Sequence, residues 1–263
     1  MIEEINFFGV KISSFTEAEL WNKVNEDINN KSARVYYGTG FYNIVVLRNF
    51  PELHIYSSKV DVTLMDGHIF NKFVSLLGFK IKHEISIPQF TLELLARISS
   101  EKKIFVLGGT EDINRLAIDS LISDYKKTNV KGRNGYFKEQ DEQHIVKEIN
   151  EFSPDVLLIG ISSPIKERFF FNWKSYLNVG IIVPCGGMVD VLAKKTKVTP
   201  DWLKKLGLAT PYRVIQEPGR LLWSRLNLLL IVFLKIIPIL CYQRFIKRNS
   251  NYFLPGLFGI KQY

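Results

Sequence analysis

The sequence has only two cysteines, Cys185 and Cys241, among 263 residues, and both lie in apolar surroundings. This low cysteine content argues against a disulfide framework and against a cysteine-ligated metal site. The first residues lack a basic stretch followed by an apolar one, so we expect no secretory signal and a protein that faces the cytosol. The sequence also lacks a run of about 20 uncharged apolar residues, which argues against a polytopic membrane protein.

Several motifs of common enzyme classes are missing as well. Neither GxGxxG nor GxxxxGK[ST] occurs, so the fingerprints of NAD-binding and P-loop proteins are absent. The four histidines show no spacing typical of metal ligands, and no GxSxG or Cys-His pattern indicates a nucleophile. We therefore expect neither a metalloenzyme nor a serine or cysteine hydrolase, and no metal or other cofactor.

Acidic residues are scarce in one part of the chain only. Residues 1–200 carry 25 lysines and arginines against 24 acidic residues, whereas residues 201–263 carry 10 against 2. Such a basic tail predicts an anionic partner, and nucleic acid and anionic lipid both qualify. Because its basic residues flank an apolar helix and do not alternate with stacking aromatics, we expect an anionic membrane surface and no nucleic acid.

The body of the chain alternates short β-branched runs with amphipathic helical stretches, and 46% hydrophobic residues allow a large core. This rhythm predicts an α/β fold, namely a Rossmann-like, mostly parallel sheet with helices on both faces. A helical C-terminal appendage follows, which divides the chain into residues 1–200 and 201–263. The predicted strands are Val35–Tyr37, Val60–Leu64, Ile104–Leu107, Val156–Ile161 and Ile181–Val183.

Small or polar residues follow each predicted strand, and they should collect at one edge of the sheet. In open α/β sheets this edge binds ligands, and glycines there let the backbone approach a phosphate-bearing substrate. A single glycine pair is more simply a tight turn, but five such turns favour a site. The turns are Thr39-Gly40, Asp66-Gly67, Gly108-Gly109, Ser162-Ser163-Pro164 and Gly186-Gly187.

Asp66 is the best candidate for a general base, because a carboxylate between an apolar strand and a flexible turn is well placed to have a raised pKa. An equally good interpretation is a helix N-cap for the segment that starts near His68. The residue alone does not decide between the two.

In the tail, Pro218-Gly219 should bend or break any helix that runs on from Pro211. Leu226–Tyr242 is a seventeen-residue apolar stretch interrupted by Lys235 and Pro238, which predicts a helix lying in the membrane interface more than a membrane span. A helix buried in the fold or in a homo-oligomer is the alternative.

Six segments in order carry a family resemblance: MDGHIF, KIFVLGGTED, GYF, GISSPIKERF, CGGMVDVLA and GLATPYRVIQEPGR. Over roughly residues 35–225 the chain resembles the WecG/TagA/CpsF glycosyltransferases, glycosyltransferase family 26. The resemblance implies an inverting, metal-independent enzyme of bacterial cell-surface polysaccharide synthesis. Such an enzyme moves an N-acetylmannosamine-type sugar, its uronate or a related hexose from a UDP-sugar to a polyprenyl-diphosphate-linked acceptor. It is expected at the cytoplasmic face of the inner membrane as a peripheral protein, and a homo-oligomer is left open.

The resemblance also implies roles for particular residues. Asp66 corresponds to the catalytic base and Thr39 to a threonine of the acceptor pocket, while Arg213 and Arg220 correspond to arginines that the appendage brings to the diphosphate. Arg225 lies one step from a further family arginine. The expected nucleotide-sugar pocket comprises Gly108, Gly109, Tyr136, Pro164, Glu167, Gly186 and Asp190.

The chain departs from the family pattern at several positions. Phe41 replaces an asparagine, and HEISIPQF offers His83 or Glu84 and then Gln89 where the family has an arginine and an aspartate. The PKQE motif reads Pro164-Ile165-Lys166-Glu167. These departures suggest a changed donor or acceptor, or a catalytically degenerate scaffold subunit of a polysaccharide assembly complex. Because the proposed base and phosphate-binding arginines remain, we favour the enzyme.

Overall fold

The computed structural model describes residues 2–7, 10–49 and 60–249, without the side chains of residues 46–49 and 220. Its centre is a parallel sheet of six strands. In chain order these are β3 (Arg34–Thr39), β4 (Val62–Met65), β5 (Ile104–Gly108), β6 (Val130–Arg133), β7 (Val156–Gly160) and β8 (Ile181–Val183). Their order across the sheet is β4-β3-β8-β7-β5-β6. The predicted α/β fold with a parallel sheet is therefore confirmed.

The sheet separates two hydrophobic cores, because successive side chains along a strand point to opposite faces. Val106 and Leu158 belong to one core, whereas their chain neighbours Phe105 and Leu157 belong to the other. Both faces are covered, which explains why these strands read as continuous apolar runs. The helices of the body are α1 (Glu17–Asn29), α2 (Phe41–Asn49), α3 (His68–Leu76), α4 (Ile87–Arg97), α5 (Glu111–Ser123), α6 (Glu142–Phe152), α7 (Ile165–Trp173) and α8 (Met188–Leu192).

A β-hairpin precedes this sheet, and the sequence reasoning did not predict it. Strands β1 (Glu3–Phe7) and β2 (Val10–Ser14) pair antiparallel. The hairpin is fastened to edge strand β4, since the Ser13 backbone N–H donates to the Thr63 hydroxyl at 2.6 Å and the Thr63 N–H donates to Ser13 Oγ at 3.0 Å. Strand β6 was also missed, because its sequence VKGR has little of the apolar pattern that marks a strand.

The tail begins with two short helices, α9 (Asp201–Lys205) and α10 (Ala209–Gln216), and the predicted break follows them. Glu217 leaves the helical conformation with φ −137°, and α11 (Pro218–Ile231) starts with Pro218 in its first turn. Proline is tolerated there because the N–H it lacks would have no intrahelical partner.

The tail helix extends beyond the apolar stretch Leu226–Tyr242 at both ends. Helix α11 continues through a π-helical segment (Val232–Ile236), α12 (Ile237–Cys241) and a second π segment (Tyr242–Ile246). Leu221–Ile246 is therefore one run of 26 helical residues, long and apolar enough to cross a membrane by length and composition alone. Pro238 does not end the helix, because a π turn precedes it and accommodates the missing N–H.

One face of this tail helix is part of the protein interior. Four side chains at intervals of four residues, Leu228, Val232, Ile236 and Leu240, are buried. They join a third hydrophobic core with residues of the hairpin, α2 and α3, among them Phe7, Ile44, Phe70 and Phe73. The remaining faces expose large apolar side chains, including Leu230, Phe233 and Leu234.

Candidate active site

The five predicted turns meet at the carboxyl edge of the sheet, where β3, β4, β5, β7 and β8 end. The backbones approach each other closely there. A Cβ added to Gly108 would lie 2.6 Å from the Cα of Gly160 on the neighbouring strand, and Gly108 has a φ of +157°. A side chain at this position would therefore force β5 and β7 apart.

Asp66 follows β4 and does not act as the N-cap of α3. The N-cap of that helix is Gly67, and no side chain caps it. The Asp66 carboxylate instead accepts a hydrogen bond from the backbone N–H of Ile87, the first residue of α4. The carboxylate thus faces the amino end of a helix that begins 21 residues further along the chain, where orphan N–H groups attract negative charge.

Two glycines on either side of Thr39 make room for Asp66. A Cβ at Gly38 would lie 3.2 Å from Asp66 Oδ2, and one at Gly40 would lie 2.3 Å from the Asp66 carbonyl oxygen. The buried Thr39 ends β3 beside them, and its carbonyl oxygen accepts the Asp66 N–H at 2.9 Å. The predicted base and the predicted acceptor threonine are therefore neighbours on adjacent strands.

Burial and the neighbouring positive charges shift the pKa of Asp66 in opposite directions. Burial raises the pKa of Asp66, while the Lys166 ammonium, the Ile87 N–H and the guanidinium groups of Arg213 and Arg225 lower it, with the net result a raised pKa. A carboxylate with a raised pKa is a stronger proton acceptor than an ordinary exposed aspartate. This combination suits a general base.

Arg213 reaches the carboxyl edge from α10 of the tail. Its guanidinium lies against Gly187 in the turn after β8, where an added Cβ would come within 2.2 Å of a terminal nitrogen. The contact depends on the absence of a side chain at Gly187. Arginine in this position can bind phosphate oxygens with two parallel hydrogen bonds.

Arg225 also reaches the site, from α11. Its guanidinium lies over the ring of Tyr42, 4.3 Å from the ring centroid, and it acts electrostatically on Asp66. The backbone of Arg220 lies in the first turn of α11, but its side chain is outside the described part of the structure. Its predicted role at the diphosphate stays a prediction.

Glu167 is fully buried in a polar network at the start of α7. The hydroxyls of Tyr37 and Ser163 donate to its Oε1 at 2.8 and 2.9 Å, and the amide nitrogen of Asn43 donates to the Tyr37 oxygen at 3.2 Å. The Lys166 ammonium lies 3.4 Å from the same Oε1. The peptide bond before the buried Pro164 is cis. Glu167 therefore connects α7 to β3 and α2, and Lys166, one of the departures from the family pattern, lies in the same network.

The other predicted pocket residues extend along the same edge. Gly109 accepts a hydrogen bond from the Gly135 N–H at 2.8 Å, which holds the loop carrying Tyr136 beside it. The Tyr136 ring is 77% exposed. Asp190 in α8 is paired with Lys195 at 3.1 Å, and a Cβ at Gly186 would meet open space. These residues follow the ends of β5, β6 and β8 at the same edge of the sheet.

A cavity of about 1070 Å³ lies elsewhere, at the amino ends of β3 and β4. Asp27, Arg34 and Asp61 are among its lining residues, and none of the predicted site residues is. This cavity is therefore separate from the predicted site.

Comparison with known proteins decides the family. A model of the glycosyl transferase WecG/TagA/CpsF family matches residues 5–250. The chain belongs to the WecG/TagA/CpsF glycosyltransferase family. One relative is N-acetylglucosaminyldiphosphoundecaprenol N-acetyl-beta-D-mannosaminyltransferase of Bacillus subtilis (strain 168), 29% identical over 136 residues, or 51% of this chain and 52% of that protein. A protein of the same name from Staphylococcus aureus (strain MRSA252) is 27% identical over 144 residues, or 55% of this chain and 52% of that protein. The chain thus matches about half the length of these curated relatives.

The departures from the WecG/TagA/CpsF pattern have different structural positions. Phe41 packs edge-on against Phe70, with ring centroids 4.9 Å apart, so it belongs to the core beneath the tail helix. Gln89 lies at the surface and donates to Glu93 at 2.9 Å. Glu84 contacts α3, because its Oε2 accepts from the Asn71 amide at 2.6 Å and lies 3.3 Å from Nδ1 of His68. His83 lies beside Phe15, with ring centroids 6.2 Å apart.

Proposed function

We propose that the protein transfers a sugar, N-acetylmannosamine or a closely related residue, from a UDP-sugar to a polyprenyl-diphosphate-linked acceptor in bacterial cell-surface polysaccharide synthesis. The observation that carries this proposal is the Asp66 carboxylate at the carboxyl edge of the sheet with three cationic side chains acting on it. The relatives' names support the acceptor class, since they are transferases that act on N-acetylglucosaminyldiphosphoundecaprenol.

The reaction follows from this arrangement as a single displacement. Asp66 takes the proton of the acceptor hydroxyl while that oxygen bonds to the anomeric carbon of the donor. The bond from the anomeric carbon to the diphosphate oxygen breaks, and its electron pair leaves with UDP. Arg213 and Arg225 stabilise the charge on the leaving diphosphate, a role that guanidinium groups can fill without a metal. Inversion at the anomeric carbon results from the single displacement.

We include metal independence in the proposal. Across residues 2–7, 10–49 and 60–249, no three His, Cys, Asp or Glu side chains come together in a way that could hold a metal ion. Lys166, Arg213 and Arg225 supply the positive charges that act on Asp66. Because guanidinium groups of this chain can stabilise the charge of the leaving diphosphate, transfer and UDP binding should persist in EDTA, and their loss on chelation would contradict this part of the proposal.

The test is a panel of UDP-sugars, including UDP-N-acetylmannosamine, incubated with N-acetylglucosaminyldiphosphoundecaprenol and analysed by mass spectrometry. We expect one donor to extend the acceptor by a single sugar. The matched variants are Asp66→Asn and Asp112→Asn, the second at an exposed carboxylate that pairs with Arg115 on α5. Equal product from both variants would remove Asp66 from the mechanism. UDP binding without transfer for any donor would favour the scaffold subunit.

We further propose that the tail helix holds the protein at the cytoplasmic face of the bacterial inner membrane. Phe233 and Leu234 are 54% and 70% exposed, and the exposed Lys247 and Arg248 follow the helix. Large exposed apolar side chains next to basic residues are typical of segments that bind anionic bilayers. The lipid-linked acceptor would then be near the active site.

Flotation with anionic liposomes tests this placement. Removing the helix is a poor test, because Leu228 and Ile236 cover Phe70 and Phe73 in the third core. The double substitution Phe233→Glu and Leu234→Glu leaves that contact in place and should abolish flotation. The control is Leu116→Glu with Ile122→Glu, which puts the same two charges on half-exposed residues of α5. Flotation of the double variant would contradict the proposal, and its dissociation into smaller particles would favour a homo-oligomer.

A further inference from the structure

The guanidinium of Arg225, on the tail, lies over an aromatic ring of the body. Its central carbon is 4.3 Å from the ring centroid of Tyr42, the second residue of α2. A guanidinium within about 6 Å of a ring centroid is attracted to the negative face of the ring, and its planar shape lets it stack there. Tyr42 is therefore a direct partner of Arg225.

The ring of Tyr42 is itself held in place by the protein interior. It is half-buried and packs against two hydrophobic cores, the one that contains Tyr37 and the third core beneath the tail helix. Protein interiors are closely packed, so a ring held between two cores has little freedom to move. Tyr42 thus offers Arg225 a fixed surface.

The chain path places this surface beside the candidate active site. Gly40 packs against Asp66, since a Cβ at Gly40 would lie 2.3 Å from the Asp66 carbonyl oxygen. Only Phe41 separates Gly40 from Tyr42, and two residues of chain span at most about 7 Å. A guanidinium on the Tyr42 ring is therefore near the end of β3, where Thr39 lies.

The tail helix turns Arg225 toward the body but does not fix its guanidinium. Leu228, three residues after Arg225, is buried in the third core together with Ile44 of α2. Residues three apart lie on the same face of a helix, so Arg225 is on the face of α11 that packs against the body. An arginine side chain still has large rotamer freedom, and the contact with Tyr42 restricts it.

We propose that Tyr42 is a positioning residue, which holds the Arg225 guanidinium at the carboxyl edge in the orientation that binds the donor diphosphate. The proposal rests on the proposed function insofar as Arg225 stabilises that diphosphate. Stacking uses the flat face of the guanidinium, whereas the N–H groups at its edge donate to phosphate oxygens, so one group can do both. A side chain that is ordered before the donor binds loses less rotamer entropy on binding.

The first experiment is isothermal titration of UDP into variants of Tyr42. Tyr42→Leu removes the ring but keeps an apolar side chain between the two cores, and it should raise the Kd for UDP about threefold to tenfold. Tyr42→Phe keeps the ring and should bind UDP almost as tightly as the unsubstituted protein. Melting temperatures establish that each variant is folded.

The matched control is Phe152→Leu, which removes a half-buried ring that also lies near a cation. The Lys131 ammonium is 5.1 Å from its centroid. The Phe152 carbonyl oxygen accepts from Lys103 just before β5, so this ring is at the amino edge of the sheet. Phe152→Leu should therefore leave the Kd for UDP unchanged.

Two further measurements separate positioning from packing. In an Arg225→Met background, Tyr42→Leu should change the Kd for UDP very little, because the ring acts through Arg225. The Nε–H signal of Arg225, labelled with ¹⁵N and assigned by its loss in Arg225→Met, is followed by NMR. A proton over the face of an aromatic ring is shielded, so this signal should move downfield in Tyr42→Leu and stay in place in Tyr42→Phe.

Three results would overturn the proposal. An unmoved Arg225 signal in folded Tyr42→Leu shows that the ring does not hold the guanidinium. An unchanged Kd for UDP in Tyr42→Leu shows that the contact does not serve the diphosphate. An equal loss of affinity with and without Arg225 assigns Tyr42 to packing alone. If signal and affinity respond as expected but the unsubstituted protein transfers no sugar, the proposed function fails and the positioning role of Tyr42 stands.

Discussion

Gly187→Ala should weaken donor binding by displacing Arg213 while leaving the fold intact. An added Cβ would lie 2.2 Å from a terminal nitrogen of the Arg213 guanidinium, so the group must withdraw by about 1 Å to reach ordinary contact distance. The backbone itself accepts alanine, because Gly187 has φ −67° and ψ 8°. Replacing glycine at a compatible position restricts the unfolded chain, so the melting temperature should stay unchanged or rise slightly.

The expected size of the effect follows from the contact that is lost. A hydrogen bond to a charged group contributes about 1.5 to 3 kcal/mol, which corresponds to roughly a tenfold to hundredfold weaker Kd for UDP. Isothermal titration of UDP into Gly187→Ala, Arg213→Ala and the double variant measures this. Because Gly187→Ala acts only through Arg213, it should weaken UDP binding very little in the Arg213→Ala background. The losses of binding free energy in the two single variants should therefore not add in the double variant.

Two results would refute this reasoning. If Gly187→Ala binds UDP as well as the unsubstituted protein, the guanidinium adapts without loss or does not contact the donor. If Gly187→Ala costs as much in the Arg213→Ala background as alone, its effect comes from the loop and not from the arginine. Gly219→Ala is the control, because a Cβ there meets nothing within 4 Å and should leave UDP affinity unchanged.

Three further predictions concern single side chains. Asp66→Asn should lower transfer by about 10² to 10⁴-fold. Because burial raises the pKa of Asp66, the ionised carboxylate lowers the stability of the folded protein at pH values above its unfolded pKa, and by the full amount above its folded pKa. The melting temperature of Asp66→Asn at neutral pH should therefore equal or exceed that of the unsubstituted protein, and a clear drop would contradict this. Tyr37→Phe should cost about 1 to 3 kcal/mol in urea unfolding, since Asn43 and Glu167 lose their shared partner, whereas Tyr176→Phe at the exposed surface should cost almost nothing. Burial raises the pKa of the Cys185 thiol to about 12, so this thiol should not react with a labelling reagent in the native protein at pH 8. Cys185→Ser should therefore leave the number of labelled thiols unchanged in the native protein and lower it by one after unfolding. A lower number in the native variant would show that Cys185 is accessible.

The elements of the sheet could be predicted because their signals are local. Each central strand is a short apolar run that ends in a glycine or small polar turn, and this pattern is visible in Ile104–Gly108 as it stands in the sequence. Strand β6 and the hairpin could not be predicted from the sequence, because they are short, partly exposed and held by neighbours such as Thr63. Pairing with a neighbouring strand can compensate for a weak pattern, and that neighbour is remote in the sequence.

The full length of the tail helix was not visible in the sequence for a related reason. Lys235 and Pro238 interrupt the apolar run and normally argue for an end, yet the helix continues to Ile246. Packing of Val232, Ile236 and Leu240 against the third core stabilises the π turns on either side of α12. In most proteins helical stability comes from such packing more than from propensity, which is all that the sequence displays.

The sequence by itself determined that Asp66 ends a buried strand, that small residues gather at one edge of a parallel sheet, and that arginines follow Pro211 in a basic tail. These features depend on residues close to one another along the chain. Only the tertiary structure decided that Asp66 faces the amino end of α4, that Arg213 lies on Gly187 and that Lys166 belongs to the buried network of Glu167. The physical reason is that the strand order β4-β3-β8-β7-β5-β6 brings distant segments together. The electrostatics of a site depend on distances that packing alone fixes.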